Sequence, residues 1–150
     1  MIYWFTGQPG HGKSVQAKLL IEYLNRESSC KSVFHIDGDH LREIVKNADY
    51  SKEGRIRNIQ LAQTLAKYLH LNGYDVVISL VAPYRDVREE FKQDMGSNMV
   101  EIYVDTTEIR GREYFHTDYE APIDNFIYLS TSNETPGFTH VKLIELLYVE

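Results

Sequence analysis

Residues Gly7 to Ser14 read Gly-Gln-Pro-Gly-His-Gly-Lys-Ser, a complete G-x-x-x-x-G-K-[ST] run, and this run dictates how the start of the chain must fold. The stretch before it, Ile2–Thr6, is apolar and β-prone, and the stretch after it, Val15–Leu24, has helical periodicity. A glycine-rich turn arising by chance has no reason to sit between a strand and a helix. Glycines at 7, 10 and 12 let backbone N–H groups turn inward, and the helix that follows points its positive end the same way. That is a cradle for the phosphates of a nucleotide, built from Gly7, Gln8, Pro9, Gly10, His11, Gly12, Lys13 and Ser14. Lys13 is placed to reach the β- and γ-phosphates, and Ser14 to hold Mg²⁺. The histidines show no zinc spacing, and His11 is expected on the surface of the loop.

The rest of the chain continues the alternation. Strands are predicted at Ile2–Thr6, Ser32–Ile36, Asp75–Val81, Val100–Val104 and Phe126–Leu129. Helices are predicted at Lys13–Leu24, His40–Lys46, Arg55–Asn72, Tyr84–Asp94 and Phe138–Leu147. The run Val76 to Val81 is almost wholly apolar, as a strand buried on both faces should be. This pattern predicts an α/β class, three-layer P-loop NTPase/kinase fold: a mainly parallel five-stranded sheet with helices on both faces. Ligands of such sheets lie beyond the carboxyl ends of the strands. Two stretches read as loops, Asn47–Gly54 and Thr106–Asn125; the second is a candidate lid within about residues 107–122.

A chain of 150 residues suits one domain, 1–150, with neither linker nor repeat. The formal charge of −6 argues against binding nucleic acid, which rewards a basic face. Arginines are nonetheless concentrated at Arg42, Arg55 and Arg57 and again at Arg85, Arg88, Arg110 and Arg112, which suits a small anion in a pocket; solvated helix faces account for about half of them. No apolar run reaches membrane length, and the start of the chain is already strand and loop, so a cytoplasmic setting is expected. Cys30 is alone and is expected to be a packing or surface residue.

Asp37-Gly38-Asp39 ends the second predicted strand. Two carboxylates separated by one glycine can face Mg²⁺ and an acceptor hydroxyl, where an acid is needed to take the acceptor proton or hold the metal. A plain turn has the same composition, and the phosphate loop nearby is what tips the reading toward chemistry. Arg42 lies three residues after Asp39, and Asn58 three after Arg55, spacings that share a helix face. The buried stripe of the long helix is Ile59, Ala62, Leu65, Ala66 and Leu69, with Arg55 and Asn58 at its border. A guanidinium there can hold sulfate or phosphate with paired hydrogen bonds.

Taken together, Asp37-Gly38-Asp39-x-x-Arg42, Tyr50-Ser51-x-x-x-Arg55-x-x-Asn58-Ile59, Pro83-Tyr84-Arg85-x-x-Arg88, Val100 to Thr106 and Tyr119-Glu120-Ala121-Pro122 resemble the adenylylsulfate kinase family across about residues 1 to 147. The resemblance implies ATP and Mg²⁺ as cofactors, and transfer of a phosphoryl group to the 3′-hydroxyl of adenosine 5′-phosphosulfate. It implies Lys13 and Asp39 as catalytic residues, Ser14 and Asp37 at the metal, and an acceptor site of Asp37, Asp39, Arg42, Tyr50, Arg55, Asn58 and Phe115. Tyr50 falls where the family has an aromatic that stacks on adenine, and Phe115 matches a second aromatic from the lid. The implied partner is a small anion, with neither nucleic acid nor membrane, and a homodimer is compatible.

Two departures stand out. The family's serine before Pro-Tyr-Arg is Ala82 here, and the family's Lys-Gly-Leu-Tyr lid segment is missing between Glu108 and Phe115. The shortened lid keeps two alternatives open: a kinase of the same fold acting on a nucleoside, nucleotide or sugar, and a nucleotide-binding module that catalyses weakly. A GTPase switch is disfavoured by the lack of Asp-x-x-Gly and Asn-Lys-x-Asp signatures.

Overall fold

The computed structural model describes residues 1–28 and 32–148, so Cys30 lies outside the described residues, as does the side chain of Arg112. The element order is β1 (Ile2–Thr6), α1 (Lys13–Glu27), β2 (Val33–Asp37), α2 (Gly38–Val45), α3 (Lys52–Leu71), β3 (Asp75–Ser79), α4 (Arg85–Met95), β4 (Met99–Asp105), β5 (Phe126–Ser130) and α5 (Pro136–Tyr148). The strands form one sheet in the order β2-β3-β1-β4-β5. Every pairing in it is parallel. The expected α/β architecture is therefore what the chain adopts.

Alternation along the strands divides the core between the two faces of the sheet. Ile2, Trp4, Val76 and Ile78 pack with Leu41, Ile59, Ala62, Ala66, Phe91 and Met95, from α2, α3 and α4. Tyr3, Phe5, Val77, Ile102 and Val104 pack with Ala17, Leu20, Leu24 and Leu143, from α1 and α5. Leu65 was expected in the buried stripe of α3, but it is exposed; Ile59, Ala62 and Ala66 carry that burial.

Element ends shift by a few residues, and the shifts matter at the site. β2 runs on to Asp37, which pairs in register with Ser79, and Asp37 then caps α2. β3 stops at Ser79 rather than Val81, leaving Leu80 and Val81 free to line a cavity. The segment expected as loop through Gly54 gives up Lys52–Gly54 to α3, because the Ser51 hydroxyl accepts from Gly54 N and starts the helix early.

Arg88, read as part of an arginine cluster, is fully buried. Its Nε donates to Glu101 Oε1 at 2.7 Å, and Lys92 Nζ stands 2.6 Å from the other carboxylate oxygen. The two Nη groups of Arg88 donate to the carbonyls of Ala82 and Glu120. This helix-borne guanidinium thus ties the end of β3 to the far end of the 106–125 segment. Among the described residues, no helix is long and apolar enough to cross a membrane.

Candidate active site

The sheet order reverses direction at β1, and the turn after β1 opens at that reversal. Gly7, Gly10 and Gly12 have φ of 144°, 77° and 98°, conformations that side-chain-bearing residues rarely adopt. Gly12 caps α1 without a side-chain hydrogen bond, so the amides of the first turn are left to an anion. Lys13 is buried, and its Nζ donates to Gln8 O at 2.8 Å. Burial pulls its pKa down to about 8, while the carboxylates of Asp39 and Asp37 work in the opposite direction.

Asp37 is heavily used. One carboxylate oxygen accepts from the amides of Asp39 and His40; the other accepts from Ser79 Oγ at 3.1 Å and lies 3.5 Å from Ser14 Oγ. His35 Nε2 meets Ser79 Oγ at 2.8 Å, extending the chain of polar contacts across β2 and β3. A serine hydroxyl and a carboxylate facing one another are hard oxygen donors of the kind Mg²⁺ takes together with phosphate oxygens. Ser14 and Asp37 therefore fit the metal expected of them.

A cavity of about 700 Å³ opens at these strand ends. It is lined by Pro9, Gly10, Lys13 and Ser14 of the phosphate loop and by all seven residues expected at the acceptor: Asp37, Asp39, Arg42, Tyr50, Arg55, Asn58 and Phe115. Gly7, Gln8, His11 and Gly12 are not on its wall, although they were expected to touch nucleotide. Gly7 and Gly12 shape the loop from behind.

Each acceptor-side group is held by neighbours. Arg42 Nη1 donates to the carbonyls of Asn47 and Asp49, and its guanidinium lies 4.3 Å from the centre of the Tyr50 ring. Tyr50 is 63% exposed, which leaves ring surface for a flat ligand. Arg55 Nη1 pairs with Asp118 at 3.3 Å. Asn58 is buried; its amide donates to Gly38 O at 3.3 Å, and its Oδ1 has no hydrogen-bond partner.

The segment expected as a lid, hereafter the lid, packs directly on the phosphate loop. A side chain at Gly111 would put Cβ 2.9 Å from Pro9 O, and one at Gly10 would meet Arg110 O at the same distance. The Gln8 side chain spans the joint: its Nε2 donates to His116 O, and its Oε1 accepts from His116 N, both at 2.9 Å. Arg110 Nη2 donates to the hydroxyls of Thr106 and Thr131 at 2.9 and 2.7 Å. Arg85 Nε donates to Ala121 O at 2.7 Å and Glu120 N to Pro83 O at 2.8 Å.

His11 departs from expectation. Instead of sitting on the loop surface, it is buried, with its ring 5.1 Å from that of Phe115 and its Nδ1 3.4 Å from Asp105. Burial lowers its pKa, although Asp105 opposes this. Sequence reasoning also missed Tyr114, His116 and Ser79 on the cavity wall. Tyr114 and His116 flank Phe115, whose position was anticipated, so adjacency was a usable signal; nothing local marked Gln8 as a clamp.

Against known proteins, the profile of the adenylylsulphate kinase family matches residues 1–129. The chain belongs to this family. It is 39% identical over 102 residues to an adenylyl-sulfate kinase of Picosynechococcus sp., covering 67% of this chain and 56% of that protein. It is 28% identical over 168 residues to the adenylyl-sulfate kinase of Buchnera aphidicola, covering 99% of this chain and 81% of that one. Several of these matches thus span only a little over half of the relative's length. The Mycobacterium tuberculosis APS kinase CysC, solved with AMPPNP and APS, superposes with a TM-score of 0.82 at 22% identity, over 97% of this chain and 96% of that one. At that identity the likeness speaks to the fold. A family member with this lid thus has the α/β P-loop fold of its relatives and a joint between lid and loop made by its own Gln8 and His116.

Proposed function

We propose that the protein transfers the γ-phosphoryl group of ATP to the 3′-hydroxyl of adenosine 5′-phosphosulfate, giving 3′-phosphoadenosine 5′-phosphosulfate and ADP. The observation that carries this reading is the shared cavity, lined by Lys13 and Ser14 together with Asp39, Arg42, Arg55 and Asn58. In this reading the acceptor oxygen bonds to the γ-phosphorus as the bond to the β,γ-bridging oxygen breaks. The acceptor's proton passes to Asp39. Lys13 leaves the Gln8 carbonyl to follow charge on the migrating group, in a buried setting where a fixed cation acts strongly. Ser14 and Asp37 hold Mg²⁺, which neutralises charge on the β- and γ-phosphates when bound. Arg42 and Arg55 orient the phosphosulfate, and Tyr50 and Phe115 take the adenine. A homodimer in the cytoplasm belongs to the same reading and is checked by light scattering and localisation.

A second reading has one observation in its favour. Arg55 is already paired with Asp118, a carboxylate where an anionic acceptor would need a free guanidinium. A neutral acceptor, a nucleoside or sugar, would leave that pair intact. The test is ADP release with Mg·ATP and a panel of adenosine 5′-phosphosulfate, nucleosides, nucleotides and sugars. Turnover with adenosine 5′-phosphosulfate supports the first reading, turnover only with a neutral acceptor supports the second, and nucleotide binding without turnover rejects both. Lys13→Ala should lower turnover by about 10²–10³-fold, the cost of removing one fixed group that stabilises transition-state charge.

A further inference from the structure

We propose that His116 is a specificity-determining residue, its imidazole hydrogen-bonding the anionic end of the acceptor from the lid side of the cavity. The inference rests on the functional reading above and assigns a contact to a residue that the reading does not use.

Three observations converge on it. First, His116 lies on the cavity wall together with Lys13, Arg42 and Arg55. Second, Gln8 holds residue 116 through its backbone alone, N–H and C=O both. Any residue but proline could be held there in that way, so lid closure does not account for an imidazole. Third, the imidazole Nδ1 is buried with no hydrogen-bond partner. A buried polar nitrogen without a partner is costly, and a ligand that completes its hydrogen bonding removes that cost.

The charges around the ring decide which form it takes. Arg55, Lys13 and Arg42 face it as cations and Asp118 as an anion. Burial first, and Arg55 next, push its pKa below the ordinary histidine value, which favours the neutral ring, while Asp118 opposes this. A neutral imidazole keeps one N–H donor and one acceptor nitrogen. It can donate to a phosphosulfate oxygen already drawn in by the arginines without adding a fourth positive charge beside them. The segment presents Tyr114, Phe115 and His116 to the cavity, and of these three it is His116 that carries a buried polar atom without a partner.

The test compares His116→Ala and His116→Gln with the unmutated protein, measuring KM for acceptor and for ATP, kcat, and Tm. Alanine should raise the acceptor KM about tenfold or more, the loss of one hydrogen bond to a charged group. KM for ATP and Tm should stay put, because the Gln8 bonds survive. Glutamine, which restores a donor, should recover much of the loss. An unchanged acceptor KM in His116→Ala overturns the proposal. So does a rise in both KM values together with a fall in Tm, which is the mark of a packing role. In the unmutated protein, the His116 ring resonances should shift when adenosine 5′-phosphosulfate is added to the AMPPNP complex; no shift at saturation overturns the proposal without any variant. If another acceptor proves to be the one turned over, the adenosine 5′-phosphosulfate reading fails, and the same KM comparison on that acceptor decides His116 separately. If no acceptor is turned over, both fall together.

Discussion

The phosphate loop and the lid touch at Gly10 and Gly111, yet they are held in place by opposite means. The loop is shaped chiefly by its own backbone, with three glycines at positive φ and the Gln8 carbonyl accepting from His11 N and Lys13 Nζ. The lid, which has no strand and only a single short 3-10 turn at Arg112–Tyr114, is fixed mainly by side chains, beside one backbone bond from Glu120 N to Pro83 O. Gln8 grips it at residue 116, Arg88 at 120 and Arg85 at 121, with Arg110 anchoring its other end to Thr106 and Thr131. A backbone-held element resists change at its glycines and tolerates change in most side chains. A side-chain-held element behaves the other way round, failing when a distant arginine is lost.

The sharpest way to break the lid's side of this contrast is Arg88→Met. The substitution leaves the buried Glu101 carboxylate with only Lys92 and frees the carbonyls of Ala82 and Glu120. Removing one partner of a buried ion pair costs about 3–5 kcal/mol. Urea unfolding should show that loss, and the Arg88→Met/Glu101→Leu pair should recover part of it. A loss below about 1 kcal/mol, the worth of a surface pair, would mean that Arg88 is no anchor.

On the other side, Gly7→Ala tests the backbone. The added Cβ would stand 2.3 Å from Val104 O, and φ at this position is 144°. Strain and overpacking of that kind cost about 1–3 kcal/mol each. Gly73→Ala is the control, since its Cβ would meet nothing within 4 Å although its φ is 90°. Chemical denaturation should therefore rank Gly7→Ala well above Gly73→Ala, and equal losses would refute the close approach to β4.

What sequence could reveal follows the same division. The loop was legible because its determinants are adjacent: Gly7, Gly10, Gly12, Lys13 and Ser14 lie within one turn. The sheet was legible because burial on both faces leaves continuous apolar runs, as in Val76–Val81. Helix spacing pairs Asp39 with Arg42 and Arg55 with Asn58, and it is the family resemblance that brings the two pairs to one site. The lid's fastenings were not legible. Gln8 and His116 are 108 positions apart. Arg88 reads as one of an arginine cluster suited to an anion until Glu101, from β4, is seen beside it. His11 misled for the same reason, since its burial depends on Phe115 and Asp105.

Lys13 offers a pH test that bears on the loop alone. Its free-state pKa of about 8 lies below the ordinary lysine value because burial disfavours the charged form. Bound phosphates favour that form, so nucleotide binding raises the pKa. Affinity is then fully present below about pH 8 and falls as pH rises through that value. The slope approaches tenfold per pH unit until the bound-state pKa is reached. A profile of kcat/KM for ATP should bend near pH 8, not near the ordinary lysine range. The lid's fastenings, built on arginines, should show no matching step, and a shared bend would mean that the two regions titrate together.

The smallest effect sits at the joint itself. Gln8→Ala removes two neutral hydrogen bonds to the backbone of His116 but leaves Gln8's own carbonyl, the one Lys13 uses, in place. Neutral bonds of this kind contribute about 0.5–1.5 kcal/mol each, so global stability should fall by only about 1–3 kcal/mol, or less if the lid opens locally first. Hydrogen exchange separates the two cases. Faster exchange confined to residues 110–118, with the amides of α1 unchanged, is expected if the lid is a separately held strap. Faster exchange in α1 as well would show that the loop leans on the lid, and the contrast between a backbone-held and a side-chain-held element would give way to a single coupled unit around Gln8.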